Sequence, residues 1–440
     1  MKAYPKYKPS NIEWIGEIPE HWEIKKLKYL VEGSLKYGAN ESAELEDTNL
    51  PRYIRITDFG DDGKLKDDTF KSLPFEIAKD YLLEDGDILF ARSGATVGKT
   101  FQFKNHNGLA CFAGYLIKAT PNEKIIFSDL LYLFTKSNSY ENWKNSIFIQ
   151  ATIQNIGADK YDLLQIPIPP IPEQQYIIRN LIENTQKIDT LSEKKQRIIE
   201  LLKEERTAII NQAVTKGLNP DVPMKDSGID WLGEIPESWK IKKISIISQK
   251  ITNGYVGPTR DILKDSGIRY LQSLHMKNNH IIFDPPYYVS EEWSNTHSRS
   301  ILQKGDVLIV QTGDIGQVVA VGDEFVGCNC HALIIITPKK EILGEFLSLF
   351  LNSNYGFHNL KSIQTGALLP HLNSTNVKDI RVLVPNLKEQ YQIIDYITSE
   401  TIKKDNTIAK IKKEIALLQE YRTASISEVV TGKIDVREVI

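Results

Sequence analysis

Long apolar runs are absent. No stretch of about eighteen consecutive apolar residues occurs among the 440, so nothing reads as a bilayer-crossing helix. The opening MKAYPKYKPS has no apolar core of the kind a secretory signal needs, and a cytoplasmic protein with no membrane partner is the expectation. Cysteine is scarce. Cys111, Cys328 and Cys330 are too few for a disulfide framework, which agrees with a reducing compartment. Excess positive charge is missing too. The formal balance is −3, so no global basic field attracts nucleic acid, although local patches carry most of that attraction. A nucleophile elbow, an HExxH pair and an EF-hand loop are also lacking, and no catalytic constellation assembles.

What is present is written twice. KPSNIEWIGEIPEHWEIKKL from Lys8 returns 217 residues further on as KDSGIDWLGEIPESWKIKKI from Lys225. RYI at Arg52 answers RYL at Arg269, and GDILF at Gly86 answers GDVLI at Gly305. EQQYIIRNLI at Glu173 answers EQYQIIDYI at Glu389, and EERTAIINQAVTKG at Glu204 answers EYRTASISEVVTGK at Glu420. So many ordered pairs mark a tandem duplication of a unit about half the chain long.

Each copy has two parts. Residues 23–170 and 240–386 mix short β-branched or aromatic runs, such as PRYIRI, GDILFA and DVLIVQT, with helix-periodic stretches such as FSDLLYLFTKSNSYENW. That mixture reads as α+β. Proline-rich segments, QIPIPPIPEQQ and RVLVPNLKEQ, then lead into helices. From Glu173 to Ala213 and from Glu389 to Val429 there is neither proline nor glycine, room for helices of roughly 60 Å. A three-four spacing predicts a coiled-coil seam through Ile177, Leu181, Ile188, Leu191, Ile198, Leu202 and Ile209. In the second helix the seam is Ile394, Ile397, Ile408, Ile411, Ile415 and Leu418. The first stretch holds seven basic and seven acidic residues, the second six and seven. Such neutrality favours helix packed on helix over helix laid along DNA, with two separate helices each capping its own domain as the alternative.

Three stretches promise chemistry. DILFARSGATVGKT, Asp87 to Thr100, ends like a phosphate-binding loop, but Ser93 stands where the first glycine belongs, and FQFKNHNG follows as a strand, not a helix. Its twin DVLIVQTGDIGQVVAV lacks Gly-Lys-Thr altogether, so the shared element is a glycine-tipped turn between strands. DPPYY at Asp284 carries the Asp-Pro-Pro-Tyr of DNA adenine methyltransferases, without the Gly-rich turn that their doubly wound sheet brings. Cys328, Cys330 and His331 are spaced too tightly for a tetrahedral metal site and read as core.

Matched turns carry unmatched polar residues: RITDF stands opposite QSLHM, and ARSGAT opposite VQTGD. The candidates for touching bases and phosphates are Lys36, Tyr37, Asn40, Arg52, Arg55, Thr57, Arg92, Ser93, Lys99 and Thr100 in the first copy. In the second they are Asn253, Tyr255, Thr259, Arg260, Gln272, Ser273, His275, Lys277, Asn278, Gln311 and Thr312. Two like scaffolds with different polar letters suggest two readers of different words.

The doubled WIGEIPEHW/WLGEIPESW, the doubled GDIL/GDVL before a Ser/Thr-Gly turn, the doubled P-x-x-EQ before a long helix and the Arg-Thr-Ala near each helix end span the whole chain. In this order they resemble the specificity subunit of a type I restriction–modification enzyme. The resemblance implies an α+β, pseudo-two-fold architecture. Target-recognition domains at 1–170 and 217–386 are separated by two long antiparallel coiled-coil helices, 171–216 and 387–440. It implies no catalysis and no cofactor in this chain. Two methylation subunits bring S-adenosylmethionine and methylate adenine N6; two restriction subunits bring ATP, with magnesium, for translocation and cleavage. The implied ligand is double-stranded DNA with a bipartite target. A stand-alone DNA adenine methyltransferase using Asp284–Tyr287 and a non-catalytic coiled-coil scaffold are the alternatives.

Overall fold

The β-branched runs of each copy pair into a small antiparallel sheet. The computed structural model describes residues 2–437 apart from 61, 62, 64, 95, 150–154, 278, 314 and 367–370. The chain forms two compact units, Met1–Lys195 with Lys413–Ile440, and Gln196–Lys412. In the first unit the sheet order is Lys36–Tyr37, Leu116–Ala119, Ile88–Ala91, Thr100–Gln102. In the second it is Ser248–Asn253, Leu333–Pro338, Val307–Val310, Val318–Ala320. Beside each sheet lies a parallel pair, Arg52–Ile54 with Ala110–Phe112 and Ile268–Leu271 with Asn329–Cys330. The strands ILFA and VLIV are buried along their whole length. Ile88 and Phe90 enter one apolar cluster, Leu89 and Ala91 another. A strand covered on both faces reads as an unbroken apolar run.

The repeated letters have repeated bonds. Asp87 accepts from the Glu84 amide at 2.8 Å and the Thr120 hydroxyl at 2.5 Å; Asp306 accepts from Gln303 at 2.8 Å and Thr337 at 2.6 Å. Gln174 and Gln390, in the first turns of the long helices, are fully buried. Gln174 accepts from Phe127 N at 3.0 Å and donates to the carbonyls of Ile125 (2.8 Å) and Pro169 (3.0 Å). Gln390 accepts from Leu343 N at 2.8 Å and donates to Glu341 (3.0 Å) and Pro385 (2.9 Å). Each glutamine therefore locks a helix start to its own domain.

The helices run over Ile171–Lys216 and Leu387–Val430, 46 and 44 residues, roughly 65–70 Å long. Within the first unit Asp189 holds Arg422 through two bonds of 2.9 and 3.1 Å, and Lys195 reaches Glu414 at 2.5 Å. Numbers rise along one helix as they fall along the other, so these segments are antiparallel. Within the second unit the other Arg-Thr-Ala arginine, Arg206, lies 3.4 Å from Asp405. Partly exposed pairs such as these are worth about 0–1 kcal/mol each and fix register more than stability.

The contact face departs from the expected seam. Leu191 and Ile198 are 43% and 46% exposed. The buried positions are Ile177, Leu181, Thr185, Ile188, Ile199 and Ile210, with Leu202 and Ile209 half-buried. In the second helix Ile397 and Ile408 are buried and Ile411, Ile415 and Leu418 half-buried, while Ile393 rather than the half-buried Ile394 lies deepest at its turn. The expected seam stepped every 3.5 residues; these positions step close to 3.6. A straight helix drifts about 20° per heptad from a seven-residue repeat, enough over several heptads to move contact by one residue. Ile199→Asp is therefore expected to lower stability by about 3 kcal/mol or more, whereas Ile198→Asp stays within about 0.5 kcal/mol. Denaturation midpoints of the two variants check this.

Each helix ends against a doubled GEIPExW hairpin. Gly432 and Gly217 adopt left-handed φ of 73° and 78°. A Cβ at Gly432 would sit 2.3 Å from Pro19 and 3.2 Å from Trp22, and one at Gly217 3.3 Å from Trp239. Beyond Gly432, Tyr7 donates to the Lys433 carbonyl, and the Asp435 amide donates to the Lys2 carbonyl at 2.8 Å.

Candidate nucleic-acid interface

Three loops meet at one end of each four-stranded sheet. In the first unit they follow Tyr37, follow Ala91 and precede Leu116; the Arg92 amide donates to the Tyr115 carbonyl at 3.0 Å and Gly38 to Leu116. This end gathers exposed Lys36 and Tyr37 and half-buried Arg92 and Ser93. The Arg92 guanidinium lies over the Tyr37 ring, 4.8 Å from its centre, and the Tyr37 hydroxyl accepts from Ala158 N at 3.0 Å. Asn40 is exposed just beyond, and Lys99 is exposed at the far side of the Arg92 loop. Thr57 is exposed on the turn Ile56–Asp58, which half-buried Arg55 closes by pairing with Asp58 at 2.7 Å and donating to the Thr69 carbonyl.

The second unit repeats the arrangement with other side chains. Asn253, Tyr255 and Gln311 are half-buried and Thr312 exposed at the equivalent sheet end. Thr259 is half-buried and Arg260 exposed in the following segment. Gln272 and Ser273 are half-buried at the turn Ser273–His275, and Lys277 is exposed. Asn278 lies outside the described residues.

Three expected contact residues are instead core. Thr100 is 1% exposed, and its hydroxyl shares a 2.6 Å bond with Thr135. It lies in the strand Thr100–Gln102, where alternate side chains must turn inward. Arg52 is 6% exposed on the parallel strand, its guanidinium bonded to the Lys66 carbonyl and set against Phe70. His275 is fully buried: Nδ1 accepts from Gln272 N at 2.9 Å and Nε2 donates to the Pro285 carbonyl at 2.9 Å. Burial holds its imidazolium pKa below the ordinary value, so it is a satisfied neutral core histidine.

Residue type alone passed over others. Tyr115 is 64% exposed beside Arg92. Tyr255 packs edge-on to Trp293 and His297, whose rings stack at 4.0 Å, with His331 alongside. Ala39 and Ala113 hold the corresponding bridged positions in the first unit, so no doubled motif signalled this cluster.

The profile of the type I restriction modification DNA specificity domain matches residues 19–201 and again 236–417. The chain belongs to that specificity family. It is 23% identical to the type I restriction enzyme MjaVIII specificity subunit of Methanocaldococcus jannaschii over 98% of both chains. To the EcoKI specificity subunit of Escherichia coli K12 it is 27% identical, over 90% of this chain and 87% of that one. A solved chain from a study of complex assembly and conformational transition in a type I system has the same fold, with a TM-score of 0.74. That match is 14% identical and covers 95% of this chain and 99% of the other.

The specificity family is non-catalytic, and the three tempting motifs take structural places in it. Thr100–Gln102 pairs with Ile88–Phe90 as a strand, so no helix follows Gly98-Lys99 to cradle a phosphate. Asp284, Pro285 and Pro286 lie on an exposed segment before the strand Tyr288–Val289, and among the described residues no doubly wound parallel sheet surrounds them. Cys328 and Cys330 are buried, burial pushing the Cys328 thiol up to about 11. Among the described residues no three His, Cys, Asp or Glu side chains cluster to hold a metal, and no helix is long and apolar enough to cross a membrane.

Proposed function

We propose that each unit of this specificity subunit reads one half of a bipartite duplex target, and that the two long helices set the number of unread base pairs between the halves. The observation that carries this reading is the pair of sheet ends. Backbone and register are shared, while the positions that hold Tyr37, Arg92 and Ser93 in the first unit hold Asn253, Gln311 and Thr312 in the second. Equal scaffolds with different hydrogen-bonding groups are what two different base sequences require. Lys36, Asn40, Arg55, Thr57 and Lys99 in the first unit, and Tyr255, Thr259, Arg260, Gln272, Ser273, Lys277 and Asn278 in the second, add backbone and base contacts. Residues 1–170 and 217–386 are the reading domains. The chain works in the cytoplasm and holds no cofactor. Two methylation subunits supply S-adenosylmethionine and flip the adenine that they modify; two restriction subunits supply ATP and magnesium.

Replacing residues 240–386 with the corresponding segment of another family member tests the reading. Mapping of N6-methyladenine in cells that carry the methylation subunits is expected to show one half-word exchanged and the other retained. A change in both half-words, or in neither, overturns it.

A further inference from the structure

The sheet registers match position by position. Tyr37 lies opposite Ile117, itself opposite Phe90; Asn253 lies opposite Ile334, itself opposite Ile309. Arg92 follows Phe90 by two residues, and Gln311 follows Ile309 by two. Their carbonyls do the same work, accepting from Ile156 N and Leu372 N at 2.9 Å each. Tyr37 and Asn253 are thus equivalent, and so are Arg92 and Gln311.

The first unit fills this pair with a guanidinium laid on a ring, and among the described residues Arg92 forms no ion pair. The second unit fills it with two amides. Asn253 Oδ1 and Gln311 Oε1 are both buried, and among the described residues neither has a hydrogen-bond partner. Two orphaned carbonyls on strands that flank Leu333–Pro338, two residues apart in register at the same sheet end, are unusual, because buried acceptors are nearly always satisfied. Both call for a donor that the described residues do not supply.

We infer that this position is a base-reading pair that the two copies use for different bases. Asn253 and Gln311 take an adenine edge, whose N6 amino group donates to an amide oxygen while N7 accepts from an amide nitrogen. Arg92, set over the Tyr37 ring, takes a guanine edge, where O6 and N7 accept from its fork. The assignment rests on the DNA-reading proposal above and narrows it to one pair per unit.

Gln311→Met tests it, in the full chain with its methylation subunits. The substitution removes a buried amide oxygen that has no partner among the described residues, so the thermal midpoint is expected to hold or rise. N6-methyladenine mapping should show adenine preference falling roughly tenfold to a hundredfold at one base pair of one half-word, with every other position kept. Asn253→Leu should relax the same base pair, and Arg92→Gln one guanine in the other half-word. An unchanged target for Gln311→Met, a midpoint lowered by several degrees, or different base pairs relaxed by Asn253→Leu and Gln311→Met would overturn the assignment. The failure of DNA reading itself looks different: the unsubstituted chain would then direct no sequence-specific methylation at all.

Discussion

Inserting four residues after Lys195 and four after Lys412 is expected to abolish methylation of the native target and to create a new target with the same half-words one to two base pairs further apart. Those points divide each long helix between the compact units, since the first unit keeps Met1–Lys195 with Lys413–Ile440. Both halves of each helix therefore retain their packing inside their own unit, including the Asp189–Arg422 and Arg206–Asp405 pairs. Four residues add roughly 6 Å and turn everything beyond them by about 40°. One base pair adds about 3.4 Å and about 34° of duplex twist. Rotation thus matches about one extra base pair, and length about two. Methylated-adenine mapping reads the outcome directly. Altered bases inside a half-word, or an unaltered spacer with full methylation, would remove the helices from any measuring role.

Gln174→Leu should be the most destabilising single change in the first unit, and Gln390→Leu its equal in the second. Leucine leaves the Phe127 amide and the Ile125 and Pro169 carbonyls without these partners at a buried to half-buried site. Each stranded group costs about 1–3 kcal/mol, so the three together cost roughly 3–9 kcal/mol. That is a large share of the roughly 5–15 kcal/mol that holds a folded domain. Because the bonds are local, Gln174→Leu should expose the first unit to limited proteolysis while the second stays resistant, and Gln390→Leu should do the reverse. Gln174→Glu keeps the acceptor and loses both donors, so it should fall between. Equal proteolysis of both units in either variant would show that these glutamines are not separate anchors.

Sequence reasoning reaches different features with different success, for physical reasons. Trp22 and Trp239, Asp87 and Asp306, Gln174 and Gln390 were visible because each serves a buried contact that both copies need, and a shared need repeats the letter. The strand-turn-strand at Asp87–Gln102 was legible against its twin for the same reason. The helix contact face was less so. Leu191 and Ile198 are as apolar as Ile199, and only the accumulated drift between 3.5 and 3.6 residues decides which one is covered. Contact residues were harder still. Arg52, Thr100 and His275 are polar in type yet core in place, because a strand or a tight turn can aim a polar group inward when a carbonyl or hydroxyl waits there. The stacking of Arg92 on Tyr37, 55 positions apart in the chain, depends on strand order, which no local pattern encodes.

The bond from Asp435 to Lys2 has a topological meaning. Beyond Gly432 the chain hydrogen-bonds back to the segment that leads into the hairpin Tyr7–Pro19; beyond Gly217 it runs straight on into the equivalent hairpin at Met224–Pro236. One junction is made through the backbone, the other through hydrogen bonds and packing. Joining Arg437 to Lys2 through a short linker and opening the chain between Leu218 and Met224 would exchange the order of the copies and keep every contact described within them. The order of the two copies along the chain is thus separable from the contacts that fold each of them.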